Sequence, residues 1–236
     1  MLFSCFVSLA HKGSRRSFIK MSNIDLGDMR ISYKAKDEAF TEDQLVSKEP
    51  IGQFSAWFEE VKNCKDILEP NAVCLATANK NGAPSARIVL LKGYGPEGFK
   101  FFTNYESHKG KDLEENPQAA LTFYWAPFNR QVRIEGKVKK VSQEESHEYF
   151  KRRPLESRIS AIISPQSSTV GSRDVLIKAY KEQLAKGDVS KPVSWGGYVL
   201  YHELVEFWQG QTDRLHDRIV YSRENNGEWK IYRLAP

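Results

Sequence analysis

The first clear hydrophobic pattern along the chain is helical. From Pro50 onward, apolar residues recur at spacings of three and four, as on one face of an α-helix. These positions are Ile51, Phe54, Trp57, Phe58 and Val61. Proline is tolerated in the first turn of a helix, because its missing N–H would have no partner there. The pattern therefore predicts an amphipathic helix that begins at Pro50 and packs its apolar stripe into a core.

A series of β-strands is predicted after this helix. Two apolar runs, 72–78 and 85–93, flank Asn81-Gly82, and an Asn-Gly pair between such runs is a strong hairpin signal. Three more strands and one short helix follow, with the strands predicted at 98–104, 119–126 and 130–141 and the helix at 107–116.

The rest of the chain continues with helices and then strands. Residues 143–153 and 172–186 have helical character. Four strands follow at 195–201, 204–210, 218–223 and 228–234, the last two joined by a turn at 225–227. Several antiparallel strands with helices between them predict an α+β protein built on a barrel-like sheet.

The positive charge of the chain is concentrated at its N-terminus. The 236 residues include 35 Lys and Arg against 30 Asp and Glu, a formal charge of +5. Four of these basic residues lie in residues 1–24, which contain no acidic residue, so the remaining chain is nearly neutral. An acid-free, Ser-rich leader of this kind resembles a mitochondrial presequence. Residues 1–24 are interpreted as either such a presequence or a disordered start, and the localisation as cytoplasmic or, through this leader, mitochondrial.

The polar residues 25–49 show little periodicity and are predicted to form an arm, whereas 50–236 are predicted to form the folded domain. No apolar run approaches the roughly 20 residues needed to cross a bilayer, so no membrane association is predicted. The nearly neutral body also argues against a nucleic-acid partner, since such proteins usually carry a basic excess in the domain itself.

Several common site signatures are absent from the sequence. The three cysteines form no C-x-x-C pair and the five histidines no ligand pattern, so no metal site is predicted. Residues 93–98 fit G-x-G-x-x-G but lie between two predicted strands, which favours a hairpin turn over a dinucleotide site. The sequence contains neither a P-loop nor a G-x-S-x-G nucleophile motif.

Basic residues placed within apolar β sequence are the remaining chemical signal. They are Arg87, Lys92, Arg130, Arg133, Arg214 and Arg218. Each one alone is explained by a solvated strand face. Together they indicate a site for a phosphorylated ligand, because guanidinium groups match phosphate oxygens and a sheet fixes their direction. Aromatic residues that could pack against a flat ring lie nearby in the sequence: Phe102, Tyr124, Trp125 and Trp208.

The segment FWQGQTDRLHDR (207–218) carries more hydrogen-bonding groups than a structural turn requires. With SARIVLLKG (85–93), FFTNYESHKGKDL (101–113), SPQSS (164–168) and SWGGYVL (194–200), it resembles the pyridoxine (pyridoxamine) 5'-phosphate oxidase family. The resemblance extends over 25–236. It implies a homodimeric FMN-binding split β-barrel with surrounding helices and with flavin sites at the subunit interface. It also implies oxidation of pyridoxine 5'-phosphate or pyridoxamine 5'-phosphate to pyridoxal 5'-phosphate by hydride transfer to FMN, with O2 reduced to hydrogen peroxide.

The family's site residues fall on matching positions of this sequence. The resemblance implies FMN contacts from Arg87, Ile88, Val89, Leu90, Phe102, Thr103, His108, Lys109, Gln131, Gln166, Ser167, Trp208 and Arg218. It implies substrate contacts from Lys92, Tyr149, Arg153, Ser157 and Leu215, with Arg30 and Tyr33 of the arm closing over the substrate. Arg214 and His216 are the implied catalytic residues, which orient the pyridine ring and its reacting carbon.

Two positions depart from the family pattern, and one alternative function stays open. His108 stands where many relatives have Arg, and Asp213 stands where Asn is common. The alternative is a non-catalytic carrier or sensor of FMN or pyridoxal phosphate on the same fold. The intact 207–218 segment and Lys92 argue against it, because a carrier does not need to orient a reacting carbon.

Overall fold

The structure is a computed structural model that describes Tyr33 and residues 39–236. Its helices are α1 (Pro50–Lys62), α2 (His108–Glu115), α3 (Gln143–Arg152), α4 (Leu155–Ile163) and α5 (Arg173–Lys186). Its strands are β1 (Ala72–Ala78), β2 (Pro84–Leu90), β3 (Gly93–Gly95), β4 (Gly98–Asn104), β5 (Gln118–Trp125), β6 (Arg130–Lys140), β7 (Trp195–Gln209), β8 (Asp217–Arg223) and β9 (Trp229–Arg233). The predicted leader, Arg30 and most of the arm lie outside the described residues. Within the described part of the chain, no helix is long and apolar enough to cross a membrane.

The strands form one antiparallel sheet in the order β2-β1-β5-β6-β7-β4-β3, and β8 and β9 continue from β7. The long strand β7 pairs with β6 along most of its length, with β4 through its first half and with β8 through its second half. The pairing of β6 with β7 has a β-bulge opposite Glu135 and Gly136, with Glu203 of β7 as the extra residue, close to where β7 changes partners. Bulges bend a strand and increase its twist, so the sheet curls toward a barrel at this point. Glycine is required there, since a Cβ on Gly136 would lie 1.9 Å from the carbonyl oxygen of Tyr201.

The predicted hairpins are confirmed. Strands β1 and β2 pair around Asn81-Gly82, and Gly82 has a φ of 80°, a conformation that favours glycine. The G-x-G-x-x-G segment forms the hairpin of β3 and β4. The hairpin turn predicted at 93–98 is therefore confirmed.

Two details of the predicted secondary structure were wrong. The strands predicted at 195–201 and 204–210 form the single strand β7, which ends at Gln209, because its pairing with β6 continues from His202, opposite Gly136, to Leu204, opposite Glu135. Helix α4, which begins directly after Pro154, was not predicted. It contributes one fully buried side chain, Ile159.

The predicted helix at Pro50 is confirmed as α1, and it covers the inner face of the sheet. Phe54, Trp57 and Val61 are buried. The ring of Phe54 lies 5.1 Å from that of Phe99 on β4. The end of the arm packs on the same helix, with Phe40 4.9 Å from Trp57. The core thus does not cover β2, the outer face of β4 or the end of β7, and these parts of the sheet are available for binding sites.

Candidate active site

A cavity of about 610 Å³ lies beside β2 and β4, and residues of α3 and α4 line it on the other side. Most of the residues predicted to bind phosphorylated ligands line it. The predicted FMN residues in its wall are Arg87, Ile88, Val89, Leu90, Phe102, Thr103, Lys109 and Gln166. The predicted substrate residues in its wall are Lys92, Tyr149, Arg153 and Ser157.

Arg87 is held rigidly by the neighbouring strand. Its Nη1 donates hydrogen bonds to the carbonyl oxygen of Leu75 at 3.2 Å and to Oγ1 of Thr77 at 2.7 Å, and its Nη2 donates to Oγ of Ser85. Thr77 in turn donates to the buried carboxylate of Asp112 at 2.6 Å. Burial lowers the pKa of Arg87, and Asp112 opposes that shift. The guanidinium therefore stays a fixed cation at the cavity wall, since its ordinary pKa is far above neutrality.

Lys109 lies at the start of α2, where Ser107 caps the helix by accepting a hydrogen bond from the N–H of Gly110. Its Nζ lies 3.0 Å from Oε1 of Gln166, an oxygen that also accepts from Thr103 at 3.3 Å. Burial and then the repulsion of Arg87 lower the pKa of Lys109. A phosphate placed between two such cations would remove this repulsion, so the pair suits a dianion.

Arg153 has a buried donor without a protein partner. Among the described residues, no acceptor lies within hydrogen-bond distance of its Nη1. Its guanidinium lies 4.7 Å above the ring of Trp195, and burial lowers its pKa. The ring of Tyr149 stacks on Phe102 at 4.0 Å beside it. A buried charge normally has a hydrogen-bonding partner, so this corner of the cavity suits an anionic ligand.

The predicted catalytic segment forms a second cluster at the turn between β7 and β8. Trp208 lies 4.9 Å from His216, and the ring of Tyr33 packs edge-on against both, at 5.9 and 5.6 Å. Gln131 and Arg218 are the cross-strand neighbours of Trp208 on either side. The structure thus brings Tyr33, Gln131, Trp208, His216 and Arg218 to one end of the sheet.

Arg214 and His216 have distinctive local environments within this turn. Arg214 adopts a φ of 71°, which costs on the order of 1 kcal/mol for a residue with a Cβ. Burial lowers the pKa of His216, and the charge of Arg214 lowers it further, while Asp213 and Asp217 act in the opposite direction. The imidazole is therefore predominantly neutral at pH 7.

The two groups of predicted residues are not brought together within one chain. The wall of the cavity includes none of His108, Gln131, Ser167, Trp208, Arg214, Leu215, His216, Arg218 and Tyr33. His108 is largely exposed and lies 3.5 Å from Asp112 through its Nε2, rather than facing the cavity. Ser167 directly follows the cavity residue Gln166 and has a φ of 70°. Asp213, the other departure from the family pattern, accepts a hydrogen bond from the N–H of Leu215 at 3.0 Å.

Sequence reasoning missed the residues that support the cavity rather than face its ligand. Thr77 and Asp112 anchor Arg87, and Trp195 supports Arg153. Residues of the unpredicted helix α4, Ser160 and Ala161, also line the wall. Helix α4 could have been predicted from Pro154 and the apolar residues that follow it at helical spacing, because a proline often precedes or begins a helix.

Two family models match this chain. Residues 59–185 match the family model described as pyridoxamine 5'-phosphate oxidase. Residues 195–236 match the model described as the pyridoxine 5'-phosphate oxidase C-terminal dimerisation region. The chain belongs to the pyridoxine/pyridoxamine 5'-phosphate oxidase family. The predicted family is confirmed, and the dimerisation region supports the predicted homodimer.

Similar proteins in this family come from distant organisms. The chain is 56% identical over 222 residues to pyridoxine/pyridoxamine 5'-phosphate oxidase of Bombyx mori, a match that covers 92% of this chain and 86% of that protein. It is 53% identical over 230 residues to pyridoxine-5'-phosphate oxidase of Bos taurus, with 90% and 88% covered.

Solved structures confirm the fold. The crystal structure of PhzG from Burkholderia lata, in complex with tetrahydrophenazine-1-carboxylic acid, matches with a TM-score of 0.79 and 30% identity over 85% of this chain and 98% of that one. A pyridoxamine 5'-phosphate oxidase-related, FMN-binding protein from Nostoc punctiforme matches with a TM-score of 0.64 and 18% identity, over 81% and 100% of the two chains. The predicted α+β split-barrel is therefore the fold of this chain.

Proposed function

We propose that this chain catalyses the oxidation of pyridoxine 5'-phosphate and pyridoxamine 5'-phosphate to pyridoxal 5'-phosphate. The alcohol reacts with O2 to give the aldehyde and hydrogen peroxide, and the amine consumes water as well and releases ammonia. FMN, when bound, supplies the hydride acceptor and transfers the electrons to O2. The observation that carries the proposal is the cavity of this oxidase-family chain, in which Arg87, Lys109 and the unpaired Nη1 of Arg153 supply cations for phosphates.

Arg87 and Lys109 in the cavity wall suit the phosphate of FMN. Arg87 is fixed by three protein acceptors, and Lys109 lies near enough to be repelled by it. We assign the flavin phosphate to these two cations, with Gln166 and the backbone of 88–90 as further contacts. His108 and Ser167 are assigned to the rim of this site.

Four other residues of the cavity wall suit the phosphate of the substrate. They are Lys92, Tyr149, Arg153 and Ser157. Guanidinium binds phosphate through paired hydrogen bonds, and Nη1 of Arg153 has a donor available for one of them. We assign the substrate phosphate to this group. Two phosphate sites in one cavity suit two phosphorylated ligands whose rings stack face to face.

We further propose that the cluster of Trp208, Arg214 and His216 completes the cavity of a partner subunit. This cluster belongs to residues 195–236, which match the dimerisation region, and it does not line the cavity of its own chain. Exposed apolar side chains on β2 and in the turn, Ile88 at 66% and Leu215 at 67%, suit burial between two subunits. Each FMN would then bind at the interface, with two sites in a two-fold dimer.

In this arrangement the residues of the chain would position the substrate and stabilise charge. The cation of Arg214 would stabilise negative charge that develops on the flavin ring during transfer. The neutral imidazole of His216 would orient the substrate by donating a hydrogen bond to it. Tyr33, which already packs on His216 and Trp208, would exclude water from the reacting carbon. Trp208 and Arg218 would contact the flavin.

The test is turnover by the purified chain loaded with FMN. Pyridoxine 5'-phosphate under air should yield pyridoxal 5'-phosphate and hydrogen peroxide in equal amounts. Without O2, one equivalent of aldehyde per FMN should form and the flavin absorbance should bleach. Protein that binds FMN tightly but forms neither product would instead be the carrier or sensor of the alternative function.

A further inference from the structure

The carboxylate of Asp217 connects three separate parts of the chain at the turn that carries His216. Its Oδ2 accepts hydrogen bonds from Nε2 of Gln211 at 2.8 Å and from the N–H of Phe40 at 2.9 Å. Its Oδ1 accepts one from Nη1 of Arg233 at 2.7 Å. Asp217 is only 7% exposed, so these donors are what make its burial as a charge tolerable.

Gln211 connects this carboxylate to His216. While its side chain is held by Asp217, its backbone N–H donates a hydrogen bond of 2.9 Å to Nδ1 of His216. A ring nitrogen that accepts a hydrogen bond carries no proton, so the neutral imidazole bears its proton on Nε2. The turn therefore presents an N–H donor on the side of the ring that faces away from Gln211.

The same carboxylate also anchors the end of the N-terminal arm. Arg233, fixed by Asp217, donates to the carbonyl oxygen of Phe40 at 3.0 Å and to the carboxylate of Glu42 at 2.9 and 3.0 Å. Nearer the start of the arm, the backbone oxygen of Tyr33 accepts a hydrogen bond from Oγ1 of Thr212 at 2.8 Å. The arm is thus bound to the catalytic turn at Tyr33 and to Asp217 at Phe40.

We propose that Asp217 is a positioning residue for the oxidation: through Gln211 it fixes His216 as the Nε2-protonated tautomer, and through Phe40 it docks the arm on the same turn. Its effect on turnover rests on the proposed function, whereas its effect on the tautomer of His216 does not. Removing the residue that supports a metal-bound imidazole costs about 10- to 100-fold in affinity or activity, and we expect an effect at the lower end of that range here.

The test compares Asp217→Asn with the wild-type enzyme loaded with FMN. Asn has no charge, and an NH2 group replaces one of the two carboxylate oxygens. This NH2 group cannot accept the hydrogen bonds that Phe40, Gln211 and Arg233 donate to Asp217 in the wild type. Imidazole ¹⁵N shifts of His216, recorded at about pH 8 where a histidine with a pKa of about 6.5 or below is neutral, should show the Nε2-protonated form in the wild type and a mixture in the variant. The kcat for pyridoxine 5'-phosphate should fall about tenfold, with FMN affinity unchanged.

Glu42→Gln is the matched control. It removes a carboxylate partner of the same Arg233 but leaves Asp217 and its three donors in place, so both the tautomer and kcat should stay as in the wild type. If Asp217→Asn does not fold, Gln211→Met decides, because it removes the side-chain donor and keeps the backbone N–H. A single wild-type tautomer and wild-type kcat in the folded variant overturn the inference. Wild-type protein that forms no pyridoxal 5'-phosphate refutes the proposed function instead, and the ¹⁵N shifts still decide the role of Asp217.

Discussion

Nε of Arg218 donates a hydrogen bond of 2.6 Å to Oε1 of Glu206, a carboxylate that is only 2% exposed. Arg133 donates to the other oxygen of the same carboxylate, also at 2.6 Å. Burial alone would raise the pKa of Glu206, but these two guanidinium groups outweigh it and leave the pKa below its usual value. Glu206 is therefore a charged anchor that fixes the direction of Arg218, a proposed flavin contact.

Replacing Glu206 by Gln should destabilise the protein and weaken FMN binding together. Removing one charge from a buried ion pair leaves the opposite charge uncompensated. The amide oxygen of Gln can still accept one hydrogen bond, so the loss in unfolding free energy should be limited to about 2 kcal/mol. Urea unfolding of the apoprotein should therefore show a lower midpoint at an unchanged slope. The exposed pair of Glu42 and Arg233 provides the control, since Glu42→Gln should cost less than about 1 kcal/mol. Equal losses in the two variants would contradict the anchoring role of Glu206.

His202 makes the folded state sensitive to acid. It stacks on Trp229 at 5.3 Å, and among the described residues its buried Nδ1 has no hydrogen-bond partner. Burial, and then the charge of Arg223, lowers its pKa to about 4 from 6.5. Between these values the unfolded chain binds a proton that the folded chain does not, so stability should fall as the pH falls, by up to about 1.4 kcal/mol per pH unit.

The variant His202→Phe keeps an aromatic ring on Trp229 and removes the titrating group. Its free energy of unfolding should therefore depend less on pH over the range from about 6.5 to 4 than that of the wild type. The exposed His147, changed to Gln, is the control and should keep the wild-type pH dependence. Parallel curves for wild type and His202→Phe would show that His202 does not carry the effect.

Arg153 should control the apparent affinity for the substrate without affecting FMN. Hydrogen bonds to a charged group are worth about 1.5–3 kcal/mol, so Arg153→Gln should raise KM for pyridoxine 5'-phosphate by about 10- to 100-fold. Fluorescence titration of the apoprotein with FMN should give an unchanged Kd. Lys151→Gln removes a neighbouring cation that pairs with Glu148 at the surface, and its KM should equal that of the wild type. A loss of FMN affinity in Arg153→Gln would transfer this residue to the flavin site.

Arg214→Leu should reduce kcat by about 100-fold or more, the usual cost of removing a group that stabilises developing charge. The flavin should stay bound, which the absorbance of the purified protein would show. Leu, like Arg, has a Cβ methylene, so the energetic cost of the positive φ is the same in both proteins. The substitution therefore tests the loss of the guanidinium group alone. Arg87→Leu should give the converse result, with FMN lost. Loss of FMN from Arg214→Leu would place Arg214 in the cofactor site.

Local patterns in the sequence predicted most of the fold. The helix from Pro50 and the Asn81-Gly82 hairpin were read from spacing and turn residues alone, and both are confirmed. Strand β7 was divided in two because His202 and Glu203 interrupt the apolar run. His202 is buried by its stacking on Trp229, a contact between distant residues that no local pattern contains.

The candidate site was predictable in its residue types but not in its arrangement. The family motifs pointed to Arg87 and Lys109, and the structure places both on one cavity. The polar residues that fix Arg87 were not predicted, because Thr77 and Asp112 are connected to it only by tertiary hydrogen bonds. The separation of Arg214 from that cavity depends on the sheet order, which pairs β7 with β8 and leaves β2 at an edge.

Subunit complementation tests most directly whether the proposed FMN sites are shared between two chains. Arg87→Leu and Arg214→Leu homodimers should each be nearly inactive with pyridoxine 5'-phosphate. After subunit exchange in an equal mixture, half of the dimers combine one chain of each kind, and each of these holds one intact site and one doubly altered site. Pyridoxal 5'-phosphate and peroxide formation should therefore recover to about a quarter of the wild-type rate. No recovery in dimers shown to have exchanged would contradict shared sites.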